Sequence, residues 1–389
     1  MRTRRTAVAA SALLLSLAVH TACGDDDGAG PEAEGTPSPS ATQSASPSEP
    51  ATPSPTETSP TETAPGDGTT KLTSRGLPQG SAPALAYVAA DDAGDPAGSW
   101  SMVRPDGTSV ALPLTGIHSM ATLGDGAVVL VDDGEETAAV VVDGSGEEVS
   151  REESRGYRLA TTTDGSVVAW LNRDLTTTVL GQDGTTLRLT EVPQAGEIGA
   201  VVGGDSCPDV DPDGYGCTAY LNGAQSAEVL FVDSHGMSGP GGGSLLRVAD
   251  AAADGRLAGM TSVDDLGSCS SVLGAADAAV WETCDHTLTQ FSPDGTRVLG
   301  TDAYLDGFGQ RSVVFLDAAD GTVLHQFLSR GRGATVLQTA WEDADHVLAV
   351  LYERGRWSVA RLGVDGTMEL AAGPVEGSDL DRPFVLQQD

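Results

Sequence analysis

From about residue 84 onward the chain is written in short apolar runs, each broken by Asp-Gly, Gly or Pro. In "HSMATLGDGAVVLVDD" (118–133) one apolar run meets a Gly-Asp-Gly turn and a second run follows. The same shape returns in "YRLATTTDGSVVAWLNR" (157–173), "LLRVADAAADGRLAGMTSV" (245–263), "LTQFSPDGTRVLGTDAY" (288–304) and "VLQTAWEDADHVLAVLY" (336–352). Short apolar runs bounded by turn residues predict β-strands, and no long amphipathic helix is visible. Asp-Gly between two such runs predicts a hairpin, because glycine adopts the positive φ that the tight turn needs.

The turn aspartates Asp125, Asp164, Asp254 and Asp294 recur at about forty residues, with one doubled gap between Asp164 and Asp254. Each unit continues into a second hairpin, as in "TAAVVVDGSGEEV", "TTTVLGQDGTTLRLT", "SVVFLDAADGTVLHQF" and "WSVARLGVDGTMELA". Four strands in about forty residues, repeated, describe the blades of a β-propeller. The expected fold is therefore all-β, a single propeller of seven four-stranded blades spanning 78–389. Its first unit lacks an opening strand, and "FVLQ" at 384–387 is expected to supply it, closing the ring and removing two sheet edges. Blade four is the least regular, with "GMSGPGGGS" (236–244) in place of its expected outer strand.

The stretch "FSPDGTRVLGTD" (291–302) resembles the repeat of TolB-type and WD-repeat-like bacterial propellers, in which Ser-Pro-Asp-Gly turns between the first two strands. "RPDGTSVAL" (104–112) is a related hairpin placed later in its blade. The resemblance implies architecture. TolB-type proteins carry a further N-terminal α/β domain, and this chain has a different segment there. A propeller hosts enzymes, binders and scaffolds alike, so activity must come from a site.

Ahead of the repeats stand two segments of another character. Arg2, Arg4 and Arg5 precede the apolar run "AVAASALLLSLAV" (7–19), which is too short to span a bilayer and reads as an export signal over 1–22. "VHTAC" resembles a bacterial lipobox, with His20 departing from the usual aliphatic residue, and marks Cys23 as the lipidated mature N-terminus. Residues 23–77 then run through Pro, Ser, Thr and Glu with almost no large apolar side chain. Such a segment cannot repay its ordering entropy and is expected to be a disordered tether. The expected location is the outer face of the bacterial cytoplasmic membrane, with lipid at Cys23 holding the protein there.

Composition narrows the partners. The chain carries 56 acidic against 21 basic residues, a formal net charge of −35, and Lys71 is its single lysine. Nucleic acid and anionic lipid surfaces are poor partners for such a field. Of the five cysteines, Cys207, Cys217, Cys269 and Cys284 remain after Cys23. An even number in an exported chain predicts two disulfides, and of three pairings we favour the local one, Cys207–Cys217 with Cys269–Cys284. Neither spacing suits a pair of zinc thiolates.

Candidate chemistry is sparse. No nucleophile elbow, metalloprotease helix or phosphate-cradling loop is present. His118, His235, His286, His325 and His346 are scattered, and Trp100, Trp170, Trp281, Trp341 and Trp357 fall where core packing accounts for them. "CPDVDPDGYGC" (207–217) admits two readings. Asp209, Asp211 and Asp213 before Gly214 match the opening of a calcium loop, but position twelve is Tyr220 in place of the bidentate Glu. The favoured reading is a disulfide-stapled first turn of blade four; calcium is the alternative. The function expected is a non-catalytic binding propeller for a protein or polymer ligand. The alternatives are a hydrolase, lyase or quinone-dependent dehydrogenase with its site at the central channel, or an envelope assembly factor resembling TolB.

Overall fold

The computed structural model describes residues 68–388 except 91–97, 135, 204–206, 208–215, 266, 275–276, 304–306 and 332. Its strands form seven sheets, antiparallel throughout except for one parallel strand added at the edge of one of them. Blade one is β2 (Tyr87–Ala90), β3 (Trp100–Val103) and β4 (Ser109–Leu112), with β29 (Phe384–Leu386) innermost. Blade two is β5 (Ile117–Leu123), β6 (Gly126–Asp133), β7 (Glu136–Val142) and β8 (Glu148–Ser154). Blade three is β9 (Ala160–Thr161), β10 (Val167–Leu171), β11 (Thr177–Gly181) and β12 (Thr186–Arg188). Blade four is β13 (Ala195–Val202), β14 (Thr218–Gly223), β15 (Val229–Asp233) and β16 (Ser238–Pro240). Blade five is β17 (Arg247–Ala251), β18 (Leu257–Asp264), β19 (Gly267–Leu273) and β20 (Ala279–Thr283). Blade six is β21 (His286–Phe291), β22 (Arg297–Asp302), β23 (Ser312–Asp317) and β24 (Val323–Leu328). Blade seven is β25 (Thr335–Trp341), β26 (His346–Tyr352), β27 (Arg356–Gly363) and β28 (Met368–Glu376). The protein is a seven-bladed β-propeller.

Blade two shows why the middle strands are apolar on both faces. Val129 and Val131 of β6 pack with Val88, Trp100 and Met102 of blade one. Their neighbours Val128 and Leu130 pack instead with Val168, Trp170 and Leu180 of blade three. Successive side chains of a strand point to opposite faces, so a sheet covered on both sides must be apolar at every position. Each such valine or leucine, fully buried, contributes about 1.5–3 kcal/mol. Trp100, Trp170, Trp341 and Trp357 are buried in these inter-blade seams. Trp281 sits half-buried on β20, its indole N–H donating to the Ala318 carbonyl at 2.9 Å.

Antiparallel order places the first and third turns of every blade on one face, called here the turn face. The second turns and the connections between blades lie on the other. Arginines stitch neighbouring turns on the turn face. Arg104 donates to the Asp125 carbonyl at 3.1 Å, Arg256 to Gly295 at 2.7 Å and Arg297 to Ala344 at 2.5 Å. Each reaches from its own blade to the next, where a backbone acceptor would otherwise face water alone.

Closure follows the expected route: β29 pairs with β2 in register Val88↔Val385. Two expectations change. Blade four does have an outer strand, since Ser238–Pro240 pairs with β15 within the Gly-rich stretch; glycine there presents little side chain yet its backbone still bonds. The tether boundary at 77/78 also falls inside a segment that lies on the blades. β1 (Thr69–Lys71) runs parallel to β24 on the outer edge of blade six, and Leu72 beyond it is fully buried. From there the chain crosses to blade seven, where Gly80 N–H bonds the Leu370 carbonyl at 2.9 Å. Leu72 and Leu77 supply the apolar contacts that the preceding segment lacks, and the strand edge and the bonds of Thr73 and Ser74 to Glu353 complete the hold on 69–77.

Candidate functional site

On the turn face, blades three, four and five enclose a hollow of about 620 Å³. Thr162 and Asp164 come from the β9–β10 turn, Tyr220 from β14, Asp233 and His235 from the end of β15 and its turn, and Asp254 from the β17–β18 turn. These carboxylates are committed to their own turns. Asp164 Oδ1 accepts from Thr162 Oγ1 at 2.6 Å, from Ser166 Oγ at 2.7 Å and from Ser166 N–H at 3.0 Å. Burial pushes the Asp164 carboxyl up, but those donors outweigh it and hold it below the usual range. Asp233 accepts the N–H groups of His235 and Met237 at 3.0 and 2.8 Å, and Asp254 accepts from Arg256 Nε at 2.8 Å.

The free chemistry of the hollow is softer. Burial, and secondarily Asp277, raises the Tyr220 phenol above its ordinary value, so it stays a neutral donor. Ser234 Oγ is buried at the wall with no hydrogen-bond partner among the described residues. Ala251 and Ala252 supply an apolar side. A wall of hydroxyls, small apolar groups and turn carboxylates suits a polar or cationic segment of a macromolecule.

A second cluster lies on the innermost strands of blades three to five. Arg158, just before β9, reaches past blade four to donate to the Ala249 carbonyl in blade five. Arg247 of β17 pairs with Glu197 of β13, whose Oε1 also accepts from Asn222 Nδ2 at 3.3 Å. Asp250 Oδ2 accepts the Phe291 N–H of blade six at 2.7 Å. The four charges thus tie blades three to six across their inner edges. Burial pushes Asp250 up to about 6, opposed by the N–H groups of Phe291 and Ala251 and by Arg158. Burial also lowers Arg158, opposed by Glu197 and Asp250. Sequence reasoning missed this cluster. The only signal was a charged residue inside otherwise apolar inner strands, as in "LRVADA" and "AGEIGAVV".

Of the residues singled out from sequence, the cysteines pair as favoured: Cys207–Cys217 and Cys269–Cys284 are disulfides. The first brackets the loop between β13 and β14, the first turn of blade four, and Cys217 forms part of the hollow's wall. Asp209, Asp211 and Asp213, the calcium reading of that loop, lie outside the described residues, as does Cys23. The only group of potential metal ligands close together among the described residues is Cys269, Glu282 and Cys284, and both its sulfurs are tied in the disulfide. The histidines are spread over blades two, four, six and seven. His118 Nε2 meets Asp132 at 2.8 Å, His325 Nε2 meets Thr70 Oγ1 at 2.9 Å and His346 Nδ1 meets Asp343 at 3.0 Å. Only His235 lines the hollow.

No protein-family model matches the chain, and no curated protein matches it in sequence. Solved structures do align with it. The β-propeller domain of Myceliophteria thermophila Cps50 (Swd1) is 11% identical, covers 68% of this chain and 88% of its own, with a TM-score of 0.43. BamB from Moraxella catarrhalis is 15% identical over 76% of this chain and 84% of its own, also at 0.43. Kluyveromyces lactis Hsv2 is 11% identical over 70% and 90%, at 0.44. The likeness is one of fold.

Proposed function

We propose that this protein is a lipid-anchored extracytoplasmic propeller that binds a protein or polymer on its turn face without chemical turnover. The observation that carries the reading is the hollow shared by blades three, four and five. It is roomy, rimmed by hydroxyls, and its carboxylates are already spent on turns, which suits recognition better than proton transfer. Cys23 would anchor the chain to the outer face of the cytoplasmic membrane, and 24–67 would give the blades reach. Two disulfides suit an oxidising compartment. The unit "FSPDGTRVLGTD" supports a TolB-like variant of the same reading, in which the bound partner is an envelope component.

The test has two arms. Cys23→Ser should move the protein from the membrane to the soluble fraction. Thr163→Arg, which fills the hollow from a partly exposed position, should abolish recovery of a partner from envelope extracts while leaving the melting temperature unchanged. Recovery of the same partner by both proteins would overturn the hollow as the binding face.

One observation favours a second reading, an enzyme with its site at the channel. Asp250 is a carboxyl near neutrality among two arginines and a glutamate, the kind of environment that tunes an acid or base. Substrate screening with wild type and Asp250→Asn distinguishes the two: turnover lost in the variant would favour the enzyme.

A further inference from the structure

The overall charge of −35 argues against anionic ligands, yet the blades gather cations at one place. A groove of about 460 Å³ opens on the face opposite the turn face. Lys71 and Arg75 of the N-terminal arm, Arg330 from the link between blades six and seven, and Arg354 from the β26–β27 turn all line it. All four are exposed. None has an ion-pair partner among the described residues.

Three features make this more than a chance crowding of surface arginines. First, Glu353 is the one carboxylate in the groove, and it is buried and occupied. Its Oε2 accepts from Thr73 Oγ1 and Ser74 N–H at 2.9 Å each and from Ser74 Oγ at 3.2 Å. These bonds pin the arm, and so place Lys71 and Arg75, without neutralising either. Second, Arg354 adopts φ +52°, followed by Gly355 at +80°. The first position of such a turn favours Asn, Asp or Gly, and an arginine is held there at a cost in strain. Third, the link bearing Arg330 is tied on either side of that residue. Arg311 donates to the Gly331 carbonyl, and Ser329 N–H bonds the Arg311 carbonyl at 2.8 Å. At Gly333 any Cβ would stand 2.5 Å from Ser329 Oγ, which is itself buried with no hydrogen-bond partner.

We infer that this groove is an anion site for a phosphate-bearing ligand, whether the headgroup of an anionic lipid or a soluble phosphate. The net charge does not forbid it. Charges more than about 8 Å away are largely screened at physiological salt, so the four cations and the satisfied glutamate set the local field. The groove adjoins β1, the first described strand, and takes two of its four cations from the arm that β1 begins. The inference does not depend on lipidation at Cys23 or on a ligand in the turn-face hollow.

The test uses the whole chain carrying Cys23→Ser, so that no lipid contributes. It compares flotation with phosphatidylglycerol vesicles, flotation with phosphatidylcholine vesicles, and calorimetric titration with inorganic pyrophosphate. Removing one cation at an anionic surface weakens attraction about fivefold. The expected result is binding to phosphatidylglycerol but not phosphatidylcholine, falling steeply with salt. The double variant Arg330→Glu, Arg354→Glu should weaken it by at least about twentyfold with an unchanged melting temperature. Binding of pyrophosphate alone, lost in the double variant, would assign the site to a soluble phosphate. No binding of either probe would overturn the inference, and so would equal binding by the folded double variant. If the double variant unfolds, Lys71→Gln with Arg75→Gln takes its place under the same criteria.

Discussion

The side chain of Gln338 serves Leu386 as a missing strand neighbour. Gln338 Nε2 donates to the Leu386 carbonyl and Gln338 Oε1 accepts the Leu386 N–H, both at 2.9 Å. The pair joins the innermost strand of blade seven to β29, the strand that completes blade one. A backbone edge that would lie open is satisfied by one amide.

Gln338→Ala removes both bonds and leaves two backbone groups of Leu386 unpartnered. A net loss of about 1–3 kcal/mol follows, since the orphaned groups cost more than an ordinary hydrogen bond returns. Urea unfolding should show a lower midpoint with an unchanged slope. An unaltered midpoint would mean that pairing with β2 and packing hold β29 without this bridge.

Arg361 marks a second closure. It bonds Glu342 Oε1 at 2.7 Å and the Ala82 carbonyl at 3.1 Å, and it also pairs with Glu369, joining the arm to blade seven. Glu342 is almost wholly buried, so Arg361→Ala strands a carboxylate. A loss of about 3–5 kcal/mol is expected. Glu342→Gln in the same background should recover part of it, and failure to do so would show that the arginine acts through its contacts to the arm.

Asp250 gives a pH signature. Its folded value, about 6, lies above the unfolded one near 3.8. Between those values the folded state binds more protons, so stability from this group falls as pH rises from about 4 to about 6 and then stays level. The cost is at most about 3 kcal/mol. Turn aspartates such as Asp294 shift the opposite way: burial raises Asp294, but bonds from Ser292 and Thr296 prevail, and their contribution is lost as pH falls below about 4. The informative quantity is therefore the difference between wild type and Asp250→Asn. The variant should gain on the wild type from about pH 4 to about 6 and hold level above that, and a flat difference throughout would contradict the assignment.

The two disulfides should part company under reductant. Cys207 and Cys217 are buried, whereas Cys284 is exposed and Cys269 partly so. Graded dithiothreitol followed by alkylation and mass spectrometry should label Cys269 and Cys284 first. Losing that bridge, across 15 residues of sequence, should lower stability by about 3 kcal/mol. Simultaneous labelling of all four would show that the first turn of blade four opens as readily as the edge of blade five.

Alternating apolar runs with Asp-Gly turns determined the strands, the seven blades and the closing role of 384–387, and the number and spacing of the cysteines pointed to the local disulfide pairing. The strands, turns and disulfides depend on contacts between near neighbours in sequence, and the blade count and its closure on a repeat that every blade shares. The tertiary structure alone decided the rest. Arg158, Glu197, Arg247 and Asp250 meet because successive blades turn their first strands toward one axis, a rotation that no local period encodes. Lys71, Arg75, Arg330 and Arg354 meet because a short arm crosses two blades and is pinned by Glu353. The sum of charges along the chain says that the protein is acidic, and only the packing of blades six and seven shows where it is not.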